Sequence, residues 1–368
     1  MERFHDQPLR ESPHVAVLFA DKLGGFVVAT ALLRGLHEKY PDLTLDYFGG
    51  ERTAELEESC EYIQSRYSLY GRPGALRGLP SYLAAREAAV GPYDLAINLD
   101  FNPLNAVVAS ALAPRYVVGK CVQPDGRKEL PLGDEPREQI QSPNTFWAGE
   151  NFLARFGSVL ESNYIGEIFC RVAYVETDFH RTEVPTADPG LPIPDVLIAT
   201  GGTRTAKLWP IDHWEAFINR CGQAALTAGL LGAAPKLQQI AYGSASADEY
   251  LLTRTSLIDL RGKFTLPQVA GALARARACV SIDNGPMHIA SAVGTPTVAI
   301  FGGSPWDLWA PRADHLRLAL PTEQCSLCRD NRFLNDHCLR ERQVCMESIS
   351  ADDVFERMQG VMRAENRT

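Results

Sequence analysis

Residues 281–303 read Ser-Ile-Asp-Asn-Gly-Pro-Met-His-Ile-Ala-Ser-Ala-Val-Gly-Thr-Pro-Thr-Val-Ala-Ile-Phe-Gly-Gly. They restrict the fold more than any other stretch of the chain. A short apolar run, Ala278 to Ile282, stops at Asp283, and Gly285 opens a turn. Pro286 suits the first position of a helix, because it lacks the N–H that would go unpaired there. Helical spacing then predicts a helix over 285–293 and a second buried strand over 297–301. Strand, helix and strand in such quick succession imply a parallel α/β sheet. The helix start offers unpaired N–H groups and the positive end of the helix dipole, a combination that binds phosphate. Gly285 lets a diphosphate approach the backbone closely. The same residues also suit a plain strand-to-helix turn, and turn chemistry alone leaves both readings open.

A second segment bears on the choice. Val196 to Ala199 is a short buried strand, followed by Thr-Gly-Gly-Thr-Arg-Thr-Ala-Lys-Leu-Trp-Pro over 200–210. Lys207 can neutralise a diphosphate as a point charge, and Thr203 and Thr205 can donate hydroxyl hydrogen bonds. Alone, Lys207 reads as a solvated surface lysine. Two glycine turns at the ends of two strands in one half of the chain favour an anion site, because open α/β sheets bind ligands beyond the carboxyl ends of their strands.

The α/β rhythm runs through most of the 368 residues. In the first half it predicts strands over 14–20, 43–48 and 95–99, and helices over 26–40 and 81–89. The polar, Pro- and Gly-rich residues 120–146 read as a surface loop that shapes a second ligand site, with Phe146 and Trp147 at its end. Residues 151–175 return to helix-like apolar sequence. Four prolines in 176–194 mark an interdomain linker. After it come predicted helices over 213–228 and 266–276, a strand over 239–242, and Thr297–Phe301 as the last strand. Ser350 caps a final helix, with Asp352 and Asp353 in its first turn. The expected domains are 1–175, the linker 176–194, and 195–368.

The net charge of −9 argues against a nucleic-acid partner. No apolar run is long enough to span a membrane, and the first thirteen residues lack the apolar core of a signal peptide. A cytoplasmic protein is expected, with peripheral membrane contact left open. Of nine cysteines, Cys60, Cys121, Cys170, Cys221 and Cys279 lie scattered in apolar segments and read as small buried hydrophobes. Cys325, Cys328, Cys338 and Cys345 cluster instead, within a polar stretch that could not fill a core. In a cytoplasmic chain such a cluster favours a structural metal, zinc or iron, over disulfides. His337 is a rival ligand, and chance clustering of thiols is the alternative.

The run from Asp283 to Gly302 resembles the signature of glycosyltransferase family 9, the heptosyltransferases of lipopolysaccharide core synthesis. Lys207-Leu-Trp-Pro, with His213-Trp214 after it, resembles that family's second donor motif. Leu23-Gly-Gly-Phe-Val-Val-Ala-Thr-Ala-Leu32 resembles its N-terminal glycine turn. The resemblance implies a GT-B fold, two Rossmann-like domains whose parallel sheets face a central cleft, with an acceptor-binding N-terminal domain and a donor-binding C-terminal one. It also implies inverting, metal-independent transfer from a nucleotide-diphosphate sugar, typically ADP-heptose. The acceptor is left open between a lipopolysaccharide core saccharide, a protein and a natural product. Carried over, Asp283, Gly285 and His288, with Asn284, Pro286 and Met287 in the same run, surround the donor diphosphate and sugar. Lys207 contacts phosphate and Thr203 assists. Gly243 marks the turn toward an acidic ribose ligand, supplied by Asp248 or Glu249. Closure of the two domains about 176–194 is implied as well.

The chain departs from this pattern in the N-terminal loop. The family has Gly-Asp there, the Asp being its proposed catalytic base; here the pair is Gly24-Gly25. Inverting transfer needs a base within hydrogen-bond reach of the acceptor hydroxyl. Asp21 is the first substitute and Asp100 the second, each of which could instead cap a turn. The missing Asp also keeps a second reading in play, a non-catalytic nucleotide-sugar-binding scaffold. A Rossmann oxidoreductase is disfavoured, since no Gly-x-Gly-x-x-Gly follows the first strand. The four cysteines are similar to the iron-bound finger of autotransporter heptosyltransferases, with shorter spacing. A closed four-thiolate site would be structural, with no open position for substrate.

Overall fold

The computed structural model describes residues 1–242 and 244–365. The chain divides into two compact units, Met1–Glu183 and Val184–Thr368. Each is built on its own six-stranded parallel sheet.

In the first unit, β1 (Glu2–Arg3) precedes β2 (His14–Leu18), α1 (Leu23–Lys39) and β3 (Thr44–Gly50). Then come α2 (Ala54–Ser59), β4 (Ser65–Tyr70), α3 (Ala75–Val90) and β5 (Leu95–Asn98). The unit ends with α4 (Pro103–Ala111), β6 (Tyr116–Val118), α5 (Pro136–Ile140), α6 (Phe152–Phe156) and α7 (Ile165–Val172). The sheet order is β1-β6-β5-β2-β3-β4. β2 and β5 are buried along their whole length. Helices on both faces dictate such continuous apolar strands.

The second unit opens with β7 (Val196–Ala199), a one-turn 3₁₀ helix at Thr205–Lys207 and α8 (Ile211–Gln223). Next are β8 (Ala228–Leu230), α9 (Pro235–Ala241), α10 (Ala245–Arg254), β9 (Ile258–Asp259) and α11 (Leu266–Arg275). β10 (Ala278–Ile282), α12 (Gly285–Ala292), β11 (Thr297–Ile300), α13 (Trp306–Trp309) and β12 (Leu316–Ala319) complete the sheet, in the order β12-β11-β10-β7-β8-β9. α14 (Leu327–Asp330), α15 (Val344–Glu347) and α16 (Ala351–Glu365) follow. Trp209, Trp214 and Phe217 form the bulk of this core under α16. Trp209 and Trp214 meet edge to face with centroids 4.8 Å apart. Ser350 caps α16 through the N–H of Asp353 at 3.1 Å, as the sequence predicts.

The sheet orders share a topology. In each unit the first strand of the α/β alternation, β2 or β7, lies in the middle, and the chain winds outward from it in both directions. The carboxyl ends of the neighbouring pairs β2/β5 and β7/β10 are therefore the topological switch points, where open α/β sheets hold ligands.

The structure corrects two predicted strands. Residues 239–242 do not form one: Pro235 starts α9, and the strand lies earlier, at Ala228-Gly229-Leu230. Gly229 hides that strand from pattern reading. A Cβ there would stand 2.8 Å from Pro194 and 2.9 Å from Leu260, so only glycine fits. Thr297–Ile300 is not the last strand either, since β12 adds an edge beside β11. Its four residues alternate too briefly to register.

Segment 176–194 divides between the units. The Glu183 N–H donates to the Thr30 hydroxyl at 3.0 Å, and the Ala187 N–H to the Pro267 carbonyl at 2.8 Å.

Candidate active site

The second unit's switch point brings the expected donor residues together. β7 and β10 run in register, Ser281 opposite Ala199. Asn284 ties their ends. Its Nδ2 donates to the Gly201 carbonyl at 3.0 Å, and its Oδ1 accepts from the Met287 N–H at 3.2 Å and the Ser281 hydroxyl at 2.7 Å. Asn284 is thus the N-cap of α12, with Gly285 and Pro286 in the first turn. A cap residue satisfies one of the four free N–H groups and leaves others aimed outward. Met287 and His288 are buried beneath this turn.

Three charged or titratable groups meet beside it. Lys207 Nζ stands 3.4 Å from Asp283 Oδ2, and His288 Nε2 stands 3.9 Å from Asp283 Oδ1. Burial by itself would raise the Asp283 pKa. The Lys207 charge, the His288 contact and the Ser304 hydroxyl together outweigh it and hold the carboxyl well below the usual carboxylate range. The pair places a fixed cation at the mouth of a helix N-terminus. His288 Nδ1, buried, has no hydrogen-bond partner among the described residues. Thr203 is exposed on the same loop.

Asp248 lies elsewhere. Its carboxylate is fully buried and accepts from the Thr200 hydroxyl, from Gln238 Nε2 at 3.1 Å and from the Ser244 hydroxyl at 3.1 Å. It ties the end of β7 to α9 and α10, so it braces the site instead of presenting a free oxygen. Burial raises its pKa against those hydrogen bonds. The neighbouring Glu249 pairs with Arg261 at 2.8 Å. Gly243 lies outside the described residues.

In the first unit, both candidate bases sit at the β2/β5 switch point. Asp21 follows β2, and its Oδ1 accepts from the Arg52 N–H at 2.8 Å while Oδ2 stands 3.9 Å from Arg52 Nε. Burial raises its pKa, with the Arg52 contacts opposing. Asp100 follows β5, and its Oδ1 accepts from the Asn102 N–H at 2.9 Å, a local turn bond. Tyr70 is a group that sequence reading missed. Burial first, then the charges of Asp100 and Asp21, push its phenol up to about 12. No local motif marks a tyrosine at the end of β4 as a neighbour of both carboxylates. Trp147 lines a small crevice with Asp100, Phe101 and Lys120. Its ring stands 5.3 Å from Phe101, and its Nε1 donates to the Ile140 carbonyl at 2.7 Å.

Gly25 lies inside α1, and a Cβ there would come within 2.2 Å of the Phe19 ring. An aspartate at this position, which lies in the first turn of α1 and not in a loop, would need that ring to move.

The five scattered cysteines are buried, as expected. The clustered four are neighbours without forming the expected ligand set. Among the described residues, no group of three or more His, Cys, Asp or Glu side chains stands close enough to hold a metal ion. Local partners engage the sulfurs instead: Asn335 Nδ2 lies 3.3 Å from Cys328 Sγ, and the Arg340 N–H 3.5 Å from Cys338 Sγ. Burial pushes the Cys345 thiol up to about 11, with the other three thiols adding to the shift.

A doubly wound parallel sheet with a capped helix and a fixed lysine at its switch point defines an open α/β protein with an anion-accepting crevice. The family model described as glycosyltransferase family 9 (heptosyltransferase) matches residues 171–338. A lipopolysaccharide heptosyltransferase 3 of Escherichia coli is 33% identical over 312 residues, which is 80% of this chain and 84% of that one. The chain belongs to glycosyltransferase family 9, the heptosyltransferases, and is a glycosyltransferase. Solved structures share its fold. A family 9 glycosyltransferase from Veillonella parvula superposes with a TM-score of 0.69 at 19% identity, covering 97% of this chain and 99% of that one. TibC, an iron-containing dodecameric glycosyltransferase from enterotoxigenic E. coli, gives 0.61 at 14%, covering 98% and 78%. TibC is also known in complex with ADP-D-β-D-heptose. No helix among the described residues is long and apolar enough to cross a membrane.

Proposed function

We propose that the chain transfers a heptose or related sugar from a nucleotide diphosphate, with ADP as the nucleotide, to a hydroxyl acceptor with inversion at the anomeric carbon. The arrangement of Lys207, Asp283 and the Asn284-capped start of α12 carries this reading. A donor diphosphate seated there meets backbone N–H groups and one ammonium, the chemistry that stabilises charge as the leaving group departs. The family relationship supports a heptose donor. Asp283 orients Lys207, His288 lies below the sugar, and Asp248 positions the β7 end without touching the ligand.

In the reaction, Asp21 takes the proton from the acceptor hydroxyl. The freed oxygen pair attacks the anomeric carbon, and the bond to the diphosphate oxygen breaks with its electrons leaving on the nucleotide. Burial raises its carboxyl pKa, which makes it a stronger base than an exposed aspartate. Asp100 is the alternative base. The crevice beside it, with Trp147, suits the acceptor: a saccharide, a protein side chain or a natural product. Residues 176–194 act as a hinge between the acceptor-binding and donor-binding units, and the setting is cytoplasmic.

Four cysteines in a polar segment support a structural zinc or iron in the 325–345 finger. No reaction step passes through it. Stoichiometric metal in the purified protein, lost in Cys328→Ser, is expected; fully active metal-free protein would end that part of the reading. The donor assignment is tested by calorimetry with ADP and other nucleotides. ADP binding weakened about ten- to a hundredfold by Lys207→Ala is expected. Absence of nucleotide binding would overturn the donor site.

A further inference from the structure

The sequence singles out the cysteine-rich segment as a finger apart from the donor site. The hydrogen bonds place it elsewhere. The short stretch Asn335-Asp336-His337 runs along the 3₁₀ turn that carries Lys207. The Asp336 carbonyl accepts from the Ala206 N–H at 2.8 Å and from the Thr205 hydroxyl at 3.0 Å. His337 Nδ1 lies 2.7 Å from the same hydroxyl. The Asn335 carbonyl accepts from Arg204 Nε at 2.8 Å. From the other end of the segment, Gln343 Nε2 donates to the Ala206 carbonyl at 2.6 Å. Behind the turn, a Cβ on Gly303 would stand 2.0 Å from the Ala206 carbonyl, so the backbones are already in contact there.

We propose that Asn335, His337 and Gln343 are positioning residues for donor binding, acting through Arg204, Thr205 and Ala206 to fix Lys207 opposite the start of α12. The inference rests on the donor reading given above. Its physical basis is the flexibility of lysine. A four-carbon stem with a hydrated ammonium gains little from a phosphate unless its backbone is already fixed. The 3₁₀ turn has three residues, and a turn this short cannot fix itself. Contacts from residues more than 130 positions later in the chain supply the rigidity. Asn335 also donates to Cys328 Sγ at 3.3 Å and to the His337 carbonyl at 2.7 Å, so one side chain joins the cysteine-rich segment to the residues that hold the lysine turn.

The test is ADP binding by calorimetry in four full-length proteins: wild type, Lys207→Ala, His337→Ala and the double variant. His337 is exposed, so its loss leaves the core intact. His337→Ala should weaken ADP binding about two- to tenfold in the wild-type background. It should have no further effect in Lys207→Ala, because the bond acts through that lysine. In steady state the loss should fall on the donor KM and leave the acceptor KM in place. Gln343→Ala should behave alike, and Gln343→Glu, which keeps the shape but loses the donor, should not rescue it. Equal losses in both backgrounds, or unchanged ADP affinity in His337→Ala while Lys207→Ala is impaired, would overturn the positioning role alone. Failure of Lys207→Ala to weaken ADP binding would overturn the donor reading and this inference with it.

Discussion

The two switch points have the same topology and opposite chemistry. At β7/β10, a side-chain cap, a helix start and Lys207 surround a carboxylate held ionised. At β2/β5, two carboxylates and a phenol gather around strand ends, and burial shifts Asp21 and Tyr70 toward their protonated forms. In the proposed reaction the second crevice receives negative charge and the first accepts a proton. The sheet fixes where a ligand sits, while the side chains on the strand-end turns decide what the place can do.

The sharpest way to break this contrast is Asp21→Asn. It should lower kcat/KM about 10²- to 10⁴-fold, measured by nucleotide release with acceptor present, while ADP still binds. If Asp100→Asn causes the larger loss, the base belongs to the other strand end. Next in size is Lys207→Ala, whose ten- to hundredfold loss should appear in donor binding and leave acceptor saturation unchanged. Lys207→Arg should recover only part of it, because the planar guanidinium does not reproduce a point charge at this reach.

A third change probes why the first crevice lacks the family's aspartate. Gly25→Asp alone should destabilise the protein by about 1–3 kcal/mol in denaturant unfolding, because its Cβ collides with Phe19. Gly25→Asp with Phe19→Ala should relieve that collision. If it also restored activity to Asp21→Asn, the two positions would be interchangeable sources of the base. No cost from Gly25→Asp would show that the Phe19 ring is free to move.

The smallest effects concern pH, and the two crevices should respond with opposite sign. Asp283 has a lowered pKa in the folded state. The stability it contributes is present above its unfolded pKa and is lost as pH falls through the folded value. Asp21 has a raised pKa. Its contribution is present below the unfolded value and is lost as pH rises through the folded one. Asp283→Asn should therefore lower Tm most near neutrality. Asp21→Asn should be neutral or slightly stabilising there, an advantage that shrinks in mild acid, with shifts within about 4 °C. As the proposed base must be ionised, kcat/KM should also fall on the acid side, at a higher pH than an unperturbed aspartate would give. Tm shifts of the same sign in both variants would remove the contrast.

The sequence by itself determined the α/β class and which residues gather at the β7/β10 switch point. Both depend on residues close along the chain: Asp283, Asn284, Gly285 and Pro286 form one turn, and Lys207 follows the glycines at 201 and 202. Apolar periodicity and turn chemistry are local, so they can be read directly. The first crevice was legible only in outline, as two aspartates each ending a strand. Tertiary structure alone decided the rest. Phe19 excludes a side chain at Gly25, Asp248 is spent on three buried donors, and Tyr70 joins the carboxylates from a different strand. The cysteine-rich segment clasps the lysine turn from more than a hundred residues away. Side-chain volume, burial and long-range hydrogen bonds set these features, and they exist only once the sheet has brought distant strand ends together.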